Sequence, residues 1–179
     1  MIDPATLHRL GFALLFTVLA GLVIFVRMLP FGPMTGTMPP PDLILLTGFA
    51  WVLRRPDFVP VLLFALLIFM TDLLLLRPPG LGAALAVIGL EALRARAGLM
   101  REQPFPVEWA TVAVVLLAMT LAGQAVQAVF FAEHVRLGLA LLELISNIVA
   151  YPLVVGISVF AFRVRRLAPG EHAAEARLV

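Results

Sequence analysis

Residues 107–131 read VEWATVAVVLLAMTLAGQAVQAVFF, a run of twenty-five positions in which Glu108 is the single charged residue. A helix of that length is about 37 Å long, which exceeds the roughly 30 Å hydrocarbon core of a bilayer. The rest of the chain has the same character: 62% of its 179 residues are apolar and 13% are charged, against roughly 45–50% and about 25% in soluble domains. We therefore predict an integral membrane protein, which excludes a soluble enzyme, a disordered linker and a disulfide scaffold.

Five further apolar segments accompany this one. Together they predict an all-α membrane protein of six transmembrane helices, at about residues 10–29, 42–53, 58–76, 81–93, 107–131 and 135–162. The second and fourth are short for a full span and could instead be re-entrant. The Tyr151-Pro152 step is predicted to break the last helix. In this interpretation residues 1–166 form one transmembrane domain, the proline-rich stretch 30–41 is not helical, and residues 167–179 form a polar cytoplasmic tail.

Arginine supplies all thirteen basic residues, and its distribution predicts the orientation. With six spans, one side of the membrane holds ten arginines: Arg9, Arg54, Arg55, Arg94, Arg96, Arg101, Arg163, Arg165, Arg166 and Arg177. The other side holds three: Arg27, Arg77 and Arg136. The positive-inside rule then places both termini in the cytoplasm. A single re-entrant segment would largely cancel this bias, so six spans are favoured, and the arginines are assigned to topology rather than to nucleic-acid binding.

Polar side chains at membrane depth are the first candidates for function, because a charge at the bilayer centre costs about 2.5–3.5 kcal/mol on insertion scales. Two stripes at helical spacing are Thr120, Gln124 and Gln127 in one helix, and Glu143, Asn147 and Tyr151 in the next. Both lie in the outer halves of their helices. We predict a zipper of Gln-to-Glu and Gln-to-Asn hydrogen bonds between them; a buried ligand or proton site and a surface for a partner's helix are the alternatives.

Two acidic residues have predicted structural partners. Asp72 is expected to pair with Arg77 or to cap backbone N–H groups near the turn Pro78-Pro79-Gly80. Glu91 lies one helical turn before Arg94, which predicts an ion pair at the membrane interface.

Two helices carry small residues, which permit the close approach of neighbouring backbones. These residues are Ala13, Thr17 and Gly21 in the first helix, and Gly82, Ala86 and Gly89 in the fourth. We favour packing within the chain over packing against a partner.

Motifs of catalysis are missing from the sequence. It has no His-Glu-x-x-His, Gly-x-Ser-x-Gly or phosphate-binding glycine loop. Its histidines, His8, His134 and His172, fall in three separate termini or loops, and it has no cysteine. We therefore predict no enzymatic activity, no metal and no cofactor.

Over roughly residues 9–166 the sequence resembles the rod shape-determining protein family MreD, and four blocks carry the resemblance. The first is PDLILL at 41–46, which continues through Trp51 to RRP at 54–56. The second is TDLL at 71–74, followed by PPGLGA at 78–83. Pro104-Phe105 with Glu108-Trp109, and the closing Tyr151-Pro152, are similar to alphaproteobacterial members.

This resemblance implies a non-catalytic subunit of the bacterial cell-elongation complex in the inner membrane. The implied partners are a single-pass MreC-like protein, the MreB filament, the RodA glycosyltransferase and its penicillin-binding transpeptidase. The family's fold is thought similar to the substrate-binding subunits of energy-coupling-factor transporters. That similarity implies the alternative function, a vitamin-type small-molecule binder, which predicts a closed polar and aromatic pocket on the outer side.

Overall fold

The computed structural model describes residues 4–29, 39–130, 137–162 and 164. Within these ranges the chain is all helical, as predicted, with no β-strand. The helices are α1 (Pro4–Met28), α2 (Leu43–Arg54), α3 (Val61–Leu74), α4 (Leu81–Met100), α5 (Phe105–Phe130) and α6 (Leu137–Phe160), and a single 3-10 turn (Pro56–Phe58) joins α2 to α3. Most of the predicted non-helical stretch 30–41, and all of the predicted tail 167–179, lie outside the described residues.

Helix α2 forms the centre of the bundle. Ten of its twelve residues are buried, and it contacts α1, α3, α4 and α6. At about 1.5 Å per residue it is only about 18 Å long, too short to cross a hydrocarbon core alone. Because neighbouring helices cover it, its polar ends meet protein rather than lipid, which is the condition under which a short segment is tolerated at membrane depth.

The long helices lie around α2 and expose apolar side chains. Within the described residues, three stretches are long and apolar enough to cross a membrane: Thr6–Met28, Phe105–Phe130 and Leu137–Phe160. Their outward faces carry large apolar side chains such as Leu14, Val114 and Leu153, each about two-thirds exposed. An apolar surface of this extent is typical of a protein that lies in a membrane.

Consecutive helices run in opposite directions, which gives the bundle two distinct ends. At the arginine-rich end, Arg9 of α1 pairs with Asp57 at 3.5 Å, and Arg94 of α4 donates to the Val59 carbonyl at 2.6 Å. At the other end, here called the cleft end, Arg77 lies between α3 and α4 and reaches the start of α6. The described arginines that were predicted to lie on one side of the membrane also lie at one end of the bundle.

The predicted segment bounds need correction in four helices. Helix α1 begins at Pro4 rather than 10. Helix α3 begins at Val61 rather than 58, because Pro60 occupies its N-cap position. Helix α4 continues seven residues beyond 93 and includes Arg94 and Arg96, since alanine, leucine and arginine are strong helix formers. Helix α6 is continuous through Pro152 rather than broken there.

Candidate functional site

A buried ion pair, together with a tyrosine hydroxyl bonded to it, joins three helices near the arginine-rich end. Arg54, the last residue of α2, donates from Nη1 and Nη2 to the two carboxylate oxygens of Glu108 in α5, at 2.7 and 3.2 Å. The hydroxyl of Tyr151 in α6 donates to Oε1 of the same carboxylate at 2.7 Å. Arg54 Nη1 also donates to the Ala50 carbonyl at 2.9 Å. We call Arg54, Glu108 and Tyr151 the ion-pair cluster.

Burial makes this cluster sensitive to the loss of any member. The side chains of Arg54 and Glu108 are 4% and 0% exposed, so both charged groups have lost their hydration and the ion pair replaces it. A buried pair of this kind recovers its desolvation cost only when the geometry is good and the remaining hydrogen bonds are made. Two-pronged contact between guanidinium and carboxylate, with a third donor from Tyr151, meets both conditions.

Sequence reasoning missed this pair. It assigned Arg54 to a loop and gave no role to Glu108 beyond the family resemblance. The available signal was that Glu108 is the one charge in a 25-residue apolar run, which must find a partner if it lies in the membrane. Tyr151 was singled out, but for a hydrogen-bond zipper with the preceding helix rather than for a contact with Glu108.

Pro152 is accommodated in α6 by a hydrogen bond from α5. A proline has no N–H, so the carbonyl four residues earlier, that of Ile148, loses its helical partner. The indole Nε1 of Trp109 donates to this carbonyl at 2.9 Å. The helix therefore continues where a break was predicted. A second indole, that of Trp51, donates to Ser158 Oγ at 3.1 Å and fastens α2 to the same helix.

A second group of polar side chains surrounds a cavity of about 180 Å³ at the cleft end. We call it the polar cleft. Its polar lining residues are Asp42, Asp72, Arg77, Thr120, Gln124, Gln127, Glu143 and Asn147. The described residues that line it include no aromatic ring.

Asp42 and Arg77 organise one side of the cleft. Asp42 caps α2 by accepting from the Leu45 N–H at 3.1 Å, and its own N–H donates to Asn147 Oδ1 at 2.7 Å. The Arg77 guanidinium lies between two carboxylates, 3.6 Å from Asp42 Oδ2 and 3.1 Å from Glu143 Oε1. A loop arginine thus links the starts of α2 and α6.

Asp72 caps the start of α4, which is one of its two predicted roles. Its Oδ2 accepts from the Ala83 N–H at 3.1 Å. The approach requires Gly82, since a Cβ there would lie 2.5 Å from Asp72 Oδ1. Gly80, at the N-cap of α4 beside Pro78, has a φ of 83°, a left-handed conformation that glycine adopts without strain. The alternative role, a side-chain ion pair with Arg77, is wrong, because that guanidinium pairs with Asp42 and Glu143.

The predicted zipper between α5 and α6 is also wrong. Five of the six stripe residues line the same cleft, whereas Tyr151 belongs to the ion-pair cluster. The members that form hydrogen bonds make them elsewhere: Glu143 with Arg77, Asn147 with the Asp42 backbone and Thr120 with the Leu116 carbonyl. Gln124 is half-buried, and its Oε1 is enclosed and accepts no hydrogen bond from any described residue. Gln127 lines the cleft without a hydrogen bond to another described residue.

The small residues behave differently in the two helices. In α4, Ala86 is buried, and a Cβ on Gly89 would lie 2.7 Å from Met119 Sδ and 2.9 Å from Phe49 Cζ, so the predicted close packing is confirmed. In α1 the packed face instead carries Phe16 and Ala20. Gly21 has nothing within 4 Å of its Cβ position, and Ala13 and Thr17 are half-buried. The prediction that the small residues of α1 pack within the chain is therefore wrong at Gly21.

The ion pair predicted within α4 is confirmed: Arg94 Nη1 lies 3.0 Å from Glu91 Oε1. Among the described residues, no group of three or more histidine, aspartate or glutamate side chains is arranged to hold a metal ion.

Comparison of the chain with protein-family models, curated proteins and solved structures gave no significant match.

Proposed function

We propose that this protein is a non-catalytic subunit of the bacterial cell-elongation complex, similar to MreD. In this proposal it lies in the inner membrane, binds a single-pass MreC-like protein and connects the MreB filament with RodA and its penicillin-binding transpeptidase. The vitamin-type binder is the less favoured alternative, because the polar cleft has no aromatic side chain among its described lining residues to stack on a vitamin ring.

One observation supports the proposal: the polar residues in the blocks that resemble the family form helix caps and hydrogen bonds between helices. Asp42 and Asp72 cap helices, and Arg54 and Tyr151 both donate to the Glu108 carboxylate. Trp51, Trp109 and Pro152, from the same blocks, take part in contacts between helices. These residues stabilise a particular arrangement of helices, which is what a membrane scaffold requires of its sequence.

The proposal includes six spans with the arginine-rich end in the cytoplasm. The alternating helix directions and the distribution of the described arginines support this orientation. Helices α2, α3 and α4 would cross the membrane inside the protein rather than against lipid on all sides.

Cysteine labelling tests the orientation directly, because the native chain has no cysteine. Pro79 and Glu102 are exposed residues at opposite ends of the bundle, in the α3–α4 and α4–α5 connections. We expect a membrane-impermeant maleimide to label Pro79→Cys in intact spheroplasts and Glu102→Cys only after lysis. Labelling of Glu102→Cys from outside, or protection of Pro79→Cys, would overturn the orientation.

Copurification and depletion test the function. Affinity purification of the tagged chain from its own membranes is expected to retain a single-pass MreC-like protein, and depletion is expected to convert rods to spheres. The matched control is an unrelated six-helix membrane protein expressed to the same level with the same tag. Retention of a transporter ATPase instead, with cell shape intact, would favour the alternative.

A further inference from the structure

The polar cleft contains more negative than positive charge. Among the described residues that line it, three carboxylates, those of Asp42, Asp72 and Glu143, face one guanidinium, that of Arg77, which is shared between Asp42 and Glu143. Asp72 is buried and has no ion-pair partner within 4.0 Å among the described residues. It accepts the Ala83 N–H at 3.1 Å and interacts with the Gly80 N–H, and Arg77, already shared by two other carboxylates, attracts its charge from a greater distance. At membrane depth, uncompensated negative charge is costly, and a cation that enters the cavity would reduce that cost.

The cleft also has an enclosed hydrogen-bond acceptor that no described residue uses. Gln124 Oε1, on the α5 wall, is enclosed and accepts nothing from the described residues. Most enclosed polar atoms in folded proteins do have a partner, so an exception at the edge of a cavity indicates a missing donor. The negative charge of the lining favours a cation in the cavity, and the unused acceptor favours a cation that carries N–H donors.

The volume limits the size of the occupant. At about 180 Å³ the cavity is slightly larger than an engineered cavity of about 150 Å³ that admits benzene. A second hollow continues from it toward Pro39, Pro78 and Leu139, so the occupant can be attached to a longer molecule.

We propose that the polar cleft binds a primary ammonium group, with Asp72 and Glu143 supplying the negative charge and Gln124 accepting a hydrogen bond. A primary ammonium carries one positive charge and three N–H donors, as the lysine side chain does. Two sources share this chemistry, a free small amine and the headgroup of an ethanolamine phospholipid. The proposal is independent of the scaffold function.

The first test compares ethanolamine with choline on the purified protein in detergent. Choline carries the same charge but has no N–H donor. We expect ethanolamine to raise the melting temperature in a saturable way and choline to have at least tenfold weaker affinity. Equal effects of the two, or no effect of ethanolamine and no retained ethanolamine lipid, would overturn the proposal.

Variants locate the site. Gln124→Leu removes the unused acceptor and no hydrogen bond between described residues, so it should fold and melt as the parent does without ligand; we expect its ethanolamine affinity to fall at least tenfold. Asp72→Asn keeps the shape and removes the charge, with the same expected loss. Glu91→Gln, a carboxylate outside the cleft, is the matched control and should bind as the parent does. Unchanged affinity in Gln124→Leu would overturn the assignment.

Lipid analysis separates the two sources. The protein is reconstituted in nanodiscs of equal parts phosphatidylethanolamine and phosphatidylcholine, extracted in detergent, and its retained lipid quantified. Enrichment of phosphatidylethanolamine that is lost in Gln124→Leu supports the lipid headgroup as the source. A melting shift with ethanolamine but no lipid enrichment supports a free amine.

Discussion

Replacing Glu108 with glutamine is expected to lower the free energy of unfolding by about 3–5 kcal/mol, the range found when one partner of a buried ion pair is removed. Glutamine has nearly the same shape and keeps an oxygen for Tyr151, so the loss would come from the Arg54 charge, which stays buried without its counterion. We expect poor folded yield in membranes and a much lower melting temperature in detergent.

A double variant distinguishes a lost charge balance from a lost shape. Arg54→Met with Glu108→Gln removes both charges, and we expect it to recover more than half of the stability lost in Glu108→Gln alone. The matched control is Glu91→Gln, which breaks an ion pair whose carboxylate side chain is 47% exposed. It should change stability by less than about 1 kcal/mol, as exposed pairs do. A double variant no more stable than Glu108→Gln would contradict this account.

The same series bears on the proposed scaffold. The ion-pair cluster joins α2, α5 and α6, so its loss should disturb the whole arginine-rich end. If the partner recognises the folded bundle, Glu108→Gln should lose copurification of the MreC-like protein and the double variant should regain it. A double variant that folds but does not regain the partner would indicate that the cluster itself contributes to the contact.

The prediction of the ion-pair cluster from sequence fails for a definite reason. Periodicity shows which residues share a face of one helix, but Arg54 and Glu108 are 54 positions apart on different helices. Their pairing follows from the way α5 lies against α2, which no local pattern encodes. The lone charge in 107–131 indicates that a partner exists without indicating which one.

The predicted zipper between α5 and α6 failed because a residue outside the two helices takes part. The stripes that contain Gln124 and Glu143 were correctly expected to face each other, since both line the polar cleft. The hydrogen bonds predicted between them do not form, because Arg77, from the α3–α4 connection, pairs with Glu143 instead. A charged side chain outside the two helices outcompetes a neutral amide for a carboxylate.

Local rules succeeded where the partner was close in the sequence. The Glu91–Arg94 pair and the capping role of Asp72 involve separations of three and eleven residues. The small residues of α4 also pack as expected, although Gly89 lies against Phe49 and Met119 of other helices, because a small side chain permits close approach whichever helix is the neighbour. The predicted break at Pro152 failed because the unpaired Ile148 carbonyl is satisfied by Trp109, a residue of another helix.

Replacing Gly48 with alanine is expected to destabilise the protein by about 1–3 kcal/mol, the usual cost of adding a methyl group to a filled core. Gly48 lies in the middle of α2, and a Cβ there would lie 2.8 Å from Phe64 Cδ2 and 3.2 Å from Phe64 Cζ, with Cε2 nearer still. The Phe64 ring is fully buried against α1 and α2, so it has little room to retreat.

Gly98 provides the matched control, because it is also a helical glycine but has nothing within 4 Å of its Cβ position. Gly98→Ala should leave stability unchanged or raise it by up to about 1 kcal/mol, since alanine is the better helix former. Melting in one detergent compares the two exchanges, and Gly48→Ala with Phe64→Leu should recover part of the loss by shrinking the obstructing side chain. Equal melting temperatures for Gly48→Ala and Gly98→Ala would mean that α2 and α3 do not approach as closely as the structure has them.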